Sequence, residues 1–482
     1  MLEIPGLGPK KARKIWQELE ISTVGELEYA CQENRLIDLD GFGEKTQNKI
    51  LEGIQFIKQY QERHLISDVM EPAIPLLDFI KNHDRVIRAE LAGSLRRHYE
   101  TVKDIDIVAS TLDDGRAEVM DDFVGRPNVA DVTGKGETKS SVRLENGINV
   151  DLRLVSDEQF PYALHHFTGS KEHNTAMRAL AKSRGMKMNE YGLFQGDDLV
   201  KCQTEHDIFD ALDLDYIPPE LRENTGEIEY AASDTFPDLI QLDDLQGIIH
   251  VHSHYSDAVP GIRELAEECR RRSLAYIGIT DHSQSAFYAN GLQPDRLKQQ
   301  WEEIKQVQEE FPDVKIFRGI ESDILPDGSL DYEDEILAQF DFVIASIHSN
   351  MGMDESKQTA RLIAAVQNQY TTILGHPTAR LLLARDEIAV NMPAVIEAAG
   401  EAGTAIEINA NPRRLDLDWR LGRLAQKHGV KTSINPDAHH LDGFDHVQYG
   451  VGIARKGWFT KQDVINTWDV DQVNAFFQSK RN

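Results

Sequence analysis

The chain is poor in cysteine and lacks the sequence features of an exported or membrane-spanning protein. Its 482 residues include three cysteines, Cys31, Cys202 and Cys269, which are too widely spaced to indicate a disulfide framework or a cysteine-ligated zinc site. No apolar run approaches the ~18 residues of a membrane helix. The N-terminus has no basic segment followed by an apolar core. We therefore expect a cytoplasmic protein that does not enter a membrane.

Positive charge is also scarce. Lys and Arg number 52 against 81 Asp and Glu, which gives a formal net charge of −29. This balance argues against nucleic-acid binding through a broad basic surface, because such binding neutralises phosphates with Lys and Arg. Two other routes stay open: divalent cations can neutralise carboxylates, and backbone amides can bind phosphates directly.

The length of the chain predicts several domains rather than one. Residues 1–65 have a helical pattern, and residues 66–222 alternate strands and helices, with a division after residue 155. Residues 223–245 are acidic, contain few apolar residues and are predicted to form a linker. Residues 246–482 contain repeated β–α units, which predict a parallel barrel with its site at the carboxyl ends of the strands. The predicted strands of this region are residues 248–251, 276–280, 315–319, 342–347, 372–374, 405–408 and 431–434.

The helical N-terminal region contains an internal repeat. Residues 4–8, Ile-Pro-Gly-Leu-Gly, and residues 39–43, Leu-Asp-Gly-Phe-Gly, are each followed by a helical pattern. Glycine lets the backbone turn tightly, so that amide groups at the start of the next helix can point at a phosphate. The repeat resembles paired helix-hairpin-helix motifs, which hold a DNA backbone without reading its sequence; a plain helix–helix turn is the alternative. The predicted DNA-contacting residues are Gly6, Gly8, Lys10, Gly41, Gly43 and Lys45.

Three aspartates in the second region predict a cation site. Asp104 and Asp106 are separated by one residue, so their carboxylates lie on the same face of a strand. Asp151 can join them from a neighbouring strand, and no Lys or Arg partner is evident for the three. Such carboxylates repel one another unless cations such as Mg²⁺ lie between them. Two ions could then bind the attacking 3′ hydroxyl and the leaving pyrophosphate of a nucleotide transfer.

The segments around these aspartates resemble those of bacterial family X DNA polymerases, the family of DNA polymerase beta. They are Gly93-Ser94-Leu95-Arg96-Arg97 before the aspartates and His166-Phe167-Thr168-Gly169-Ser170 after them. Gly93, Ser94 and Arg97 are predicted to approach the triphosphate. The resemblance implies that His166, Phe167 and Gly169 lie near the sugar of the incoming dNTP. It also implies that Asn174 contacts the base edge and that Arg178 lies near the template.

Several predicted strands of the third region end in His, Asp or Glu, and the first of these ends is His250-Val251-His252. Imidazole and carboxylate ligands without thiolate suit Zn²⁺, Mn²⁺ or Fe²⁺. The order of these residues resembles a PHP domain, which implies a distorted (β/α)7 barrel and up to three ions, Zn²⁺ or Mn²⁺. The ligands implied by the resemblance are His250, His252, Asp257, His282, Glu321, His348, His376, Asp437 and His439.

Taken along the whole chain, the resemblance implies a DNA repair enzyme that joins a polymerase to a 3′-end phosphoesterase. The implied phosphoesterase activities are a 3′–5′ exonuclease, a 3′-phosphatase and cleavage at abasic sites in base excision repair. The implied partners are gapped or 3′-damaged DNA and dNTPs, with the protein a monomer. Family members usually begin with a basic helical domain before the first hairpin motif. Because Met1 lies close to that motif, we expect lyase activity and binding to the end of a DNA gap to be reduced or absent.

Three alternatives stay open. The polymerase half could bind DNA without catalysis, which leaves a phosphoesterase alone. The C-terminal half could be a small-molecule phosphatase, such as a histidinol phosphatase. The chain could also be a DNA scaffold without catalysis. The intact aspartates, the hairpin repeat and the nine intact ligands argue against these alternatives in turn.

Overall fold

The structure is a computed structural model that describes residues 1, 4, 7–37, 39, 41–58, 63–112 and 114–481. The chain divides into two compact units. Unit 1 consists of Met1–Phe56 together with Leu239–Asn482, and unit 2 consists of Ile57–Asp238. The domain boundaries derived from the sequence stay predictions. Of the helices in the described ranges, none is long and apolar enough to cross a membrane.

The helices are numbered in chain order. They are α1 (Pro9–Leu19), α2 (Val24–Gln32), α3 (Glu44–Lys58), α4 (Ile66–Lys81), α5 (Gly93–Arg96), α6 (Arg116–Val124), α7 (Phe160–Thr168), α8 (Lys171–Ser183), α9 (Glu205–Asp210), α10 (Glu227–Ala231), α11 (Ile262–Arg271), α12 (Pro294–Glu310), α13 (Asp334–Leu337), α14 (Glu355–Gln367), α15 (Met392–Ala402), α16 (Gly422–Lys427), α17 (Val447–Lys456) and α18 (Val470–Ser479).

The strands are numbered in the same way. They are β1 (His64–Leu65), β2 (Val86–Leu91), β3 (Thr101–Val102), β4 (Asp104–Thr111), β5 (Val129–Lys135), β6 (Lys139–Leu144), β7 (Asn149–Val155), β8 (Met186–Asn189), β9 (Gly192–Gln195), β10 (Asp198–Leu199), β11 (Gly247–Val251), β12 (Tyr276–Ile279), β13 (Lys315–Arg318), β14 (Glu321–Asp323), β15 (Ile344–Ser346), β16 (Ile373–Leu374), β17 (Ala405–Asn409) and β18 (Thr432–Asn435).

Unit 2 is built on a five-stranded sheet in the order β2-β4-β7-β6-β5. Strands β4 and β7 run parallel, and the other neighbours are antiparallel. Side chains alternate between the two faces of a strand, and the apolar residues Ile105 and Ile107 of β4 are completely buried on one face. The remaining positions of that alternation, which include Asp104 and Asp106, therefore project from the opposite face.

Unit 1 contains eight parallel strands in two sheets, β11-β12-β13 and β14-β15-β16-β17-β18. The sequence predicted a distorted seven-stranded barrel. Among the described residues the strand ladders form two sheets instead of one closed ring, and isolated bridges join them at His282–Glu321 and Val251–Ala438. The additional strand is β14, which begins at a predicted metal ligand. The aromatic side chains of Phe317, Phe342 and Phe477 are buried in the core against the strands.

The segment predicted as a linker, residues 223–245, differs from that prediction. It contains helix α10, and Glu227 at the start of the helix is completely buried. A carboxylate oxygen of Glu227 lies 2.7 Å from Nδ1 of His173, which is also completely buried. The acidic composition of the segment indicated solvent exposure, but this acid is held inside unit 2 by a partner that lies 54 residues earlier in the chain.

A buried ionic cluster also holds unit 2 together. Glu205 accepts hydrogen bonds from Arg222 at 2.5 Å and from Arg96 at 2.6 Å, and its side chain is 6% exposed. Burial alone would raise the pKa of Glu205, but the two guanidinium groups lower it far below its ordinary value of 4.5. The ionised carboxylate therefore stabilises the folded state at neutral pH.

Replacement of Glu205 by Ala is expected to lower the free energy of unfolding of unit 2 by about 3–5 kcal/mol at pH 7, because two guanidinium groups lose their buried counter-charge. The carboxylate contribution is present above pH 4.5 and is lost as the pH falls below it. The difference between variant and parent should therefore shrink in acid. Hydrogen exchange of unit 2 peptides in urea measures this difference in the free energy of unfolding. A variant with the exposed residue Glu158 replaced by Ala serves as the control. An unchanged difference between pH 7 and pH 3 would contradict this account.

Candidate active sites

The three aspartates of unit 2 meet at one edge of the parallel strand pair. Asp106 of β4 and Asp151 of β7 are direct partners across the pair, and Asp104 lies one pleat earlier on the same face. Burial raises the pKa of Asp106 to about 7, and the carboxylates of Asp104 and Asp151 add to the effect. Burial and Asp151 also raise the pKa of Asp104. Both causes, burial and the neighbouring carboxylates, disfavour the ionised form, and bound cations would offset them.

One neighbour of this cluster was missed in the sequence. The ammonium group of Lys139 lies 2.7 Å from Asp151, and the hydroxyl of Ser141 donates to the same carboxylate at 2.5 Å. Both residues belong to β6, the antiparallel neighbour of β7. The expectation that the aspartates lack a cationic partner is therefore wrong for Asp151. Only the pairing of β6 with β7 reveals the contact, since no sequence motif links these residues.

Gly93 opens α5 beside the same cluster. Its φ of +62° favours glycine, and a Cβ atom built there would lie 2.3 Å from a carboxylate oxygen of Asp106. The main chain of the Gly-Ser segment thus approaches the aspartates more closely than any side-chain-bearing residue would allow. This closeness places backbone amides next to the carboxylates, where a triphosphate and its cations would both need contacts.

A cavity of about 370 Å³ adjoins the aspartates in unit 2. All eight residues predicted to bind the nucleotide line it, and Asp106, Thr168 and Lys171 line it as well. The predicted residues are Gly93, Ser94, Arg97, His166, Phe167, Gly169, Asn174 and Arg178. Lys171 was not predicted, and its position at the first residue of α8 is the signal that could have indicated it.

Two lining residues have partners within unit 2. Arg97 donates to a carboxylate oxygen of Glu223 at 3.0 Å and to the carbonyl oxygen of Thr168. Asn174 donates its amide to the carbonyl oxygen of His166 at 2.7 Å. Its Oδ1 atom is buried and has no hydrogen bond to any described residue, so this oxygen can still accept from a ligand. The predicted contact of Asn174 with a base edge thus has an acceptor available for it.

The nine predicted ligands of unit 1 converge in space. Glu321 lies at the centre, with a carboxylate oxygen 2.9 Å from Nε2 of His376 and 3.3 Å from Nε2 of His348. The carboxylate of Asp437 lies 3.1 Å from Nε2 of His252 and 3.4 Å from Nε2 of His250. Three subsets have ligand atoms close enough together to hold an ion. They are His252-Asp257-His282-His439, His250-His252-Glu321 and His282-Glu321-His348.

The donor atoms of this cluster fit bound cations. Within the described part of the chain, eight buried ligand atoms have no hydrogen-bond partner: Nδ1 of His252, both carboxylate oxygens of Asp257, both ring nitrogens of His282, one oxygen of Glu321, Nδ1 of His376 and Nε2 of His439. Burial lowers the pKa of His252 to about 4, with further lowering by the neighbouring imidazoles of His439 and His282. Buried polar atoms are ordinarily satisfied, and divalent cations would satisfy these.

Acidic side chains outside the predicted set orient two of the ligands. A carboxylate oxygen of Glu407 on β17 lies 2.7 Å from Nδ1 of His250, and one of Asp323 on β14 lies 2.7 Å from Nδ1 of His348. Such contacts fix which ring nitrogen faces a metal ion. Neither acid was predicted from the sequence, although each lies on a strand next to one that is followed by a predicted ligand. Two ligands, Asp437 and His376, have positive φ angles of 52° and 23°, a strain typical of functional positions.

The hairpin repeat of unit 1 is only partly within the described residues. Gly41 and Gly43 have φ angles of +87° and +86°, as a tight glycine turn requires. Gly8 precedes α1, and Lys10 and Lys45 are exposed at the starts of α1 and α3. The predicted contact residue Gly6 lies outside the described residues.

Comparisons with known proteins agree with these regions. Three family models match the chain: a SAM-like helix-hairpin-helix tandem over residues 1–55, a DNA polymerase beta thumb over residues 163–223 and a PHP domain over residues 249–411. These matches confirm the predicted classes of fold in the two units.

Individual relatives cover the whole chain or its halves. A protein of Bacillus subtilis named DNA polymerase/3′-5′ exonuclease PolX is 41% identical over 486 residues, which cover 100% of this chain and 84% of the relative. A probable phosphatase of Caldanaerobacter subterraneus is 28% identical over 49% of this chain and 93% of its own length. DNA polymerase lambda of Rattus norvegicus is 26% identical over 46% of this chain and 48% of its own length. The full-length relative and the three family models together show that this chain belongs to the bacterial family X DNA polymerases that carry a PHP domain.

Proposed function

We propose that this chain adds dNTPs to DNA 3′ ends at the aspartates of unit 2 and hydrolyses phosphoesters at DNA 3′ ends at the ligand cluster of unit 1. The observation that carries the proposal is that each of the two units contains a cluster of side chains that could hold cations. One adjoins a cavity lined by all eight predicted nucleotide-binding residues, and the other contains nine converging ligands. The full-length relative named as a polymerase and exonuclease supports the same assignment.

In unit 2, Asp104, Asp106 and Asp151 would hold Mg²⁺ or Mn²⁺, because hard carboxylate oxygens suit these ions. When bound at either site, divalent cations supply Lewis-acid polarisation of phosphoryl oxygens and activation of the attacking oxygen. The backbone at Gly93 and Ser94 and the guanidinium of Arg97 would position the triphosphate. His166, Phe167 and Gly169 would contact the sugar, Asn174 the base and Arg178 the template.

In unit 1, the nine ligands would hold up to three ions, Zn²⁺ or Mn²⁺, because imidazole and carboxylate donors suit both. Glu407 and Asp323 each lie against the Nδ1 atom of a ligand histidine, which directs the Nε2 atom toward the cluster. The reaction class is the hydrolysis of phosphoesters at 3′ ends, which includes exonuclease and 3′-phosphatase activity. The glycines of the hairpin repeat, Gly6, Gly8, Gly41 and Gly43, would hold the DNA backbone together with Lys10 and Lys45, and a monomer would suffice.

Replacement of Asp106 by Ala is expected to reduce nucleotide addition by at least about 100-fold, because it removes one of the three carboxylates that would hold the ions. The measurement is primer extension on a gapped duplex with Mg²⁺ or Mn²⁺. The exposed residue Asp78 of α4, replaced by Ala, serves as the matched control. If the parent protein itself extends no primer with either ion, the polymerase assignment is wrong and unit 2 only binds DNA.

Replacement of His348 by Ala is expected to remove most degradation of DNA 3′ ends while nucleotide addition stays within about twofold, because His348 belongs to the ligand cluster of unit 1. Both activities are measured on the same gapped duplex. Equal loss of both would contradict the assignment of the two reactions to separate sites.

The similarity of unit 1 to probable phosphatases makes a small phosphomonoester the relevant competing substrate. We expect kcat/KM for a 3′-phosphorylated duplex to exceed that for p-nitrophenyl phosphate. The reverse order would favour the small-molecule phosphatase alternative.

A further inference from the structure

Helix α2 and the turn after it pack tightly on the C-terminal part of unit 1. A Cβ atom built on Gly25 would lie 2.2 Å from the Cβ atom of Ala384, so the two backbones approach closely. Glu28 forms an ion pair with Arg413, and both side chains are almost completely buried. Because burying charge without a partner is costly, this ion pair indicates a defined docking position instead of a loose contact.

A second buried residue of this segment reaches the ligand cluster itself. Glu33, which follows α2, is 5% exposed, and one of its carboxylate oxygens lies 2.6 Å from Nδ1 of His439. The carbonyl oxygen of Asp437 lies 3.1 Å from the same nitrogen. A ring nitrogen with two oxygens so close must carry a proton. Nε2 of His439 is then the nitrogen that faces Asp257, at 3.2 Å, and the predicted ion.

Arg35 brings a further side chain of the same segment to the cluster. Its guanidinium lies 4.8 Å from the centre of the Tyr288 ring. That ring in turn lies 6.1 Å from the ring of His282 and 6.4 Å from the ring of His348. The N-terminal segment therefore meets the surroundings of the ligands at two independent points, Glu33 and Arg35.

The contact of Glu33 matches two contacts within the C-terminal part of the chain. Glu407 and Asp323 each place a carboxylate oxygen 2.7 Å from the Nδ1 atom of a ligand histidine. Glu33 places a carboxylate oxygen at a similar distance, 2.6 Å, from Nδ1 of His439. This contact is an ion pair and not a further hydrogen bond, since the hydrogen bond of that nitrogen goes to the carbonyl oxygen of Asp437. Such outer carboxylates fix the tautomer of the imidazole and increase its basicity, and their loss typically costs about 10–100-fold in metal affinity or activity.

We propose that Glu33, from the helix-hairpin-helix region, is a positioning residue of the phosphoesterase site, where it holds His439 for the ion shared with His252, Asp257 and His282. The proposal rests on the proposed metal-dependent phosphoesterase function of unit 1. It makes the segment that carries the DNA-binding motifs a structural part of the hydrolytic site. The C-terminal ligands alone would then leave one imidazole without its outer carboxylate.

The test is a Mn²⁺ titration of the full-length protein after chelator treatment and dialysis, with free Mn²⁺ measured by electron paramagnetic resonance. Relative to the parent, Glu33→Ala is expected to weaken one class of Mn²⁺ site by about 10–100-fold. The Mn²⁺ affinity of Glu33→Gln should fall between those of the parent and Glu33→Ala, because glutamine keeps the size of the side chain beside Nδ1 but carries no charge. Nucleotide addition should stay within about twofold in both variants, which reports an intact unit 2.

A matched control removes a different charge from the same N-terminal segment. Glu26 of α2 lies 3.2 Å from Arg385 across the same packed surface and forms no ion pair with a predicted ligand among the described residues, so Glu26→Gln should bind Mn²⁺ like the parent. The inference is overturned if Glu33→Ala binds Mn²⁺ as tightly as the parent, or if Glu26→Gln weakens binding as much as Glu33→Ala. If Glu33→Ala does not fold, an unchanged Mn²⁺ affinity in the isosteric Glu33→Gln overturns it. A parent that binds no Mn²⁺ contradicts the proposed function of unit 1 instead.

Discussion

Both sites depend on one constraint, which is that their ionisable side chains are partly or wholly removed from water. In unit 1, Asp257, Glu321 and Asp437 lie among six imidazoles, and almost all of these side chains are buried. Taking a charge from water into a protein interior is strongly unfavourable unless the charge is paired or binds a cation. Several donor atoms there have no hydrogen bond among the described residues. The fold therefore holds a set of buried groups that are only partly paired with one another and whose remaining donor atoms suit bound cations.

Unit 2 meets the same constraint in a milder form. Its aspartates are half-buried at a sheet surface, and Lys139 already neutralises part of their charge. Unit 2 can therefore fold although the negative charges of its three aspartates are only partly neutralised. Burial raises the pKa of Asp106, and the neighbouring carboxylates of Asp104 and Asp151 raise it further. The difference between the two sites follows from depth: a sheet surface keeps access to water, whereas the ends of the parallel strands in unit 1 are enclosed.

Local pattern was enough to predict the parts of the fold and sites that depend on neighbours in sequence. The alternation of Asp104 and Asp106 on β4, and ligands directly after apolar strands, follow from the pleat and from strand direction. Contacts set by tertiary structure were not predictable in this way. Lys139, Glu407 and Asp323 are ordinary charged residues in the sequence, and only strand order brings them to a site.

Two predictions of architecture differed for related reasons. The acidic composition of residues 223–245 indicated a solvent-exposed linker. Glu227 is buried instead, because its carboxylate pairs with the buried side chain of His173. The strand pattern of unit 1 indicated one barrel. Whether strands close into a ring depends on the register between short neighbouring strands, and here isolated bridges join two sheets. Both outcomes depend on a few long-range contacts that leave no periodic signal.

The discontinuity of unit 1 has a consequence for the order in which the protein is made. Residues 1–56 leave the ribosome first, but Arg413 and His439, to which Glu28 and Glu33 bind, are translated about 380–410 residues later, with the whole of unit 2 between them. Until then these acids remain hydrated, and the nascent N-terminal helices lack the surface that buries them. The proposed hydrolytic centre is thus completed after the polymerase unit has been synthesised, because the residues that would build it lie on both sides of that unit in the sequence.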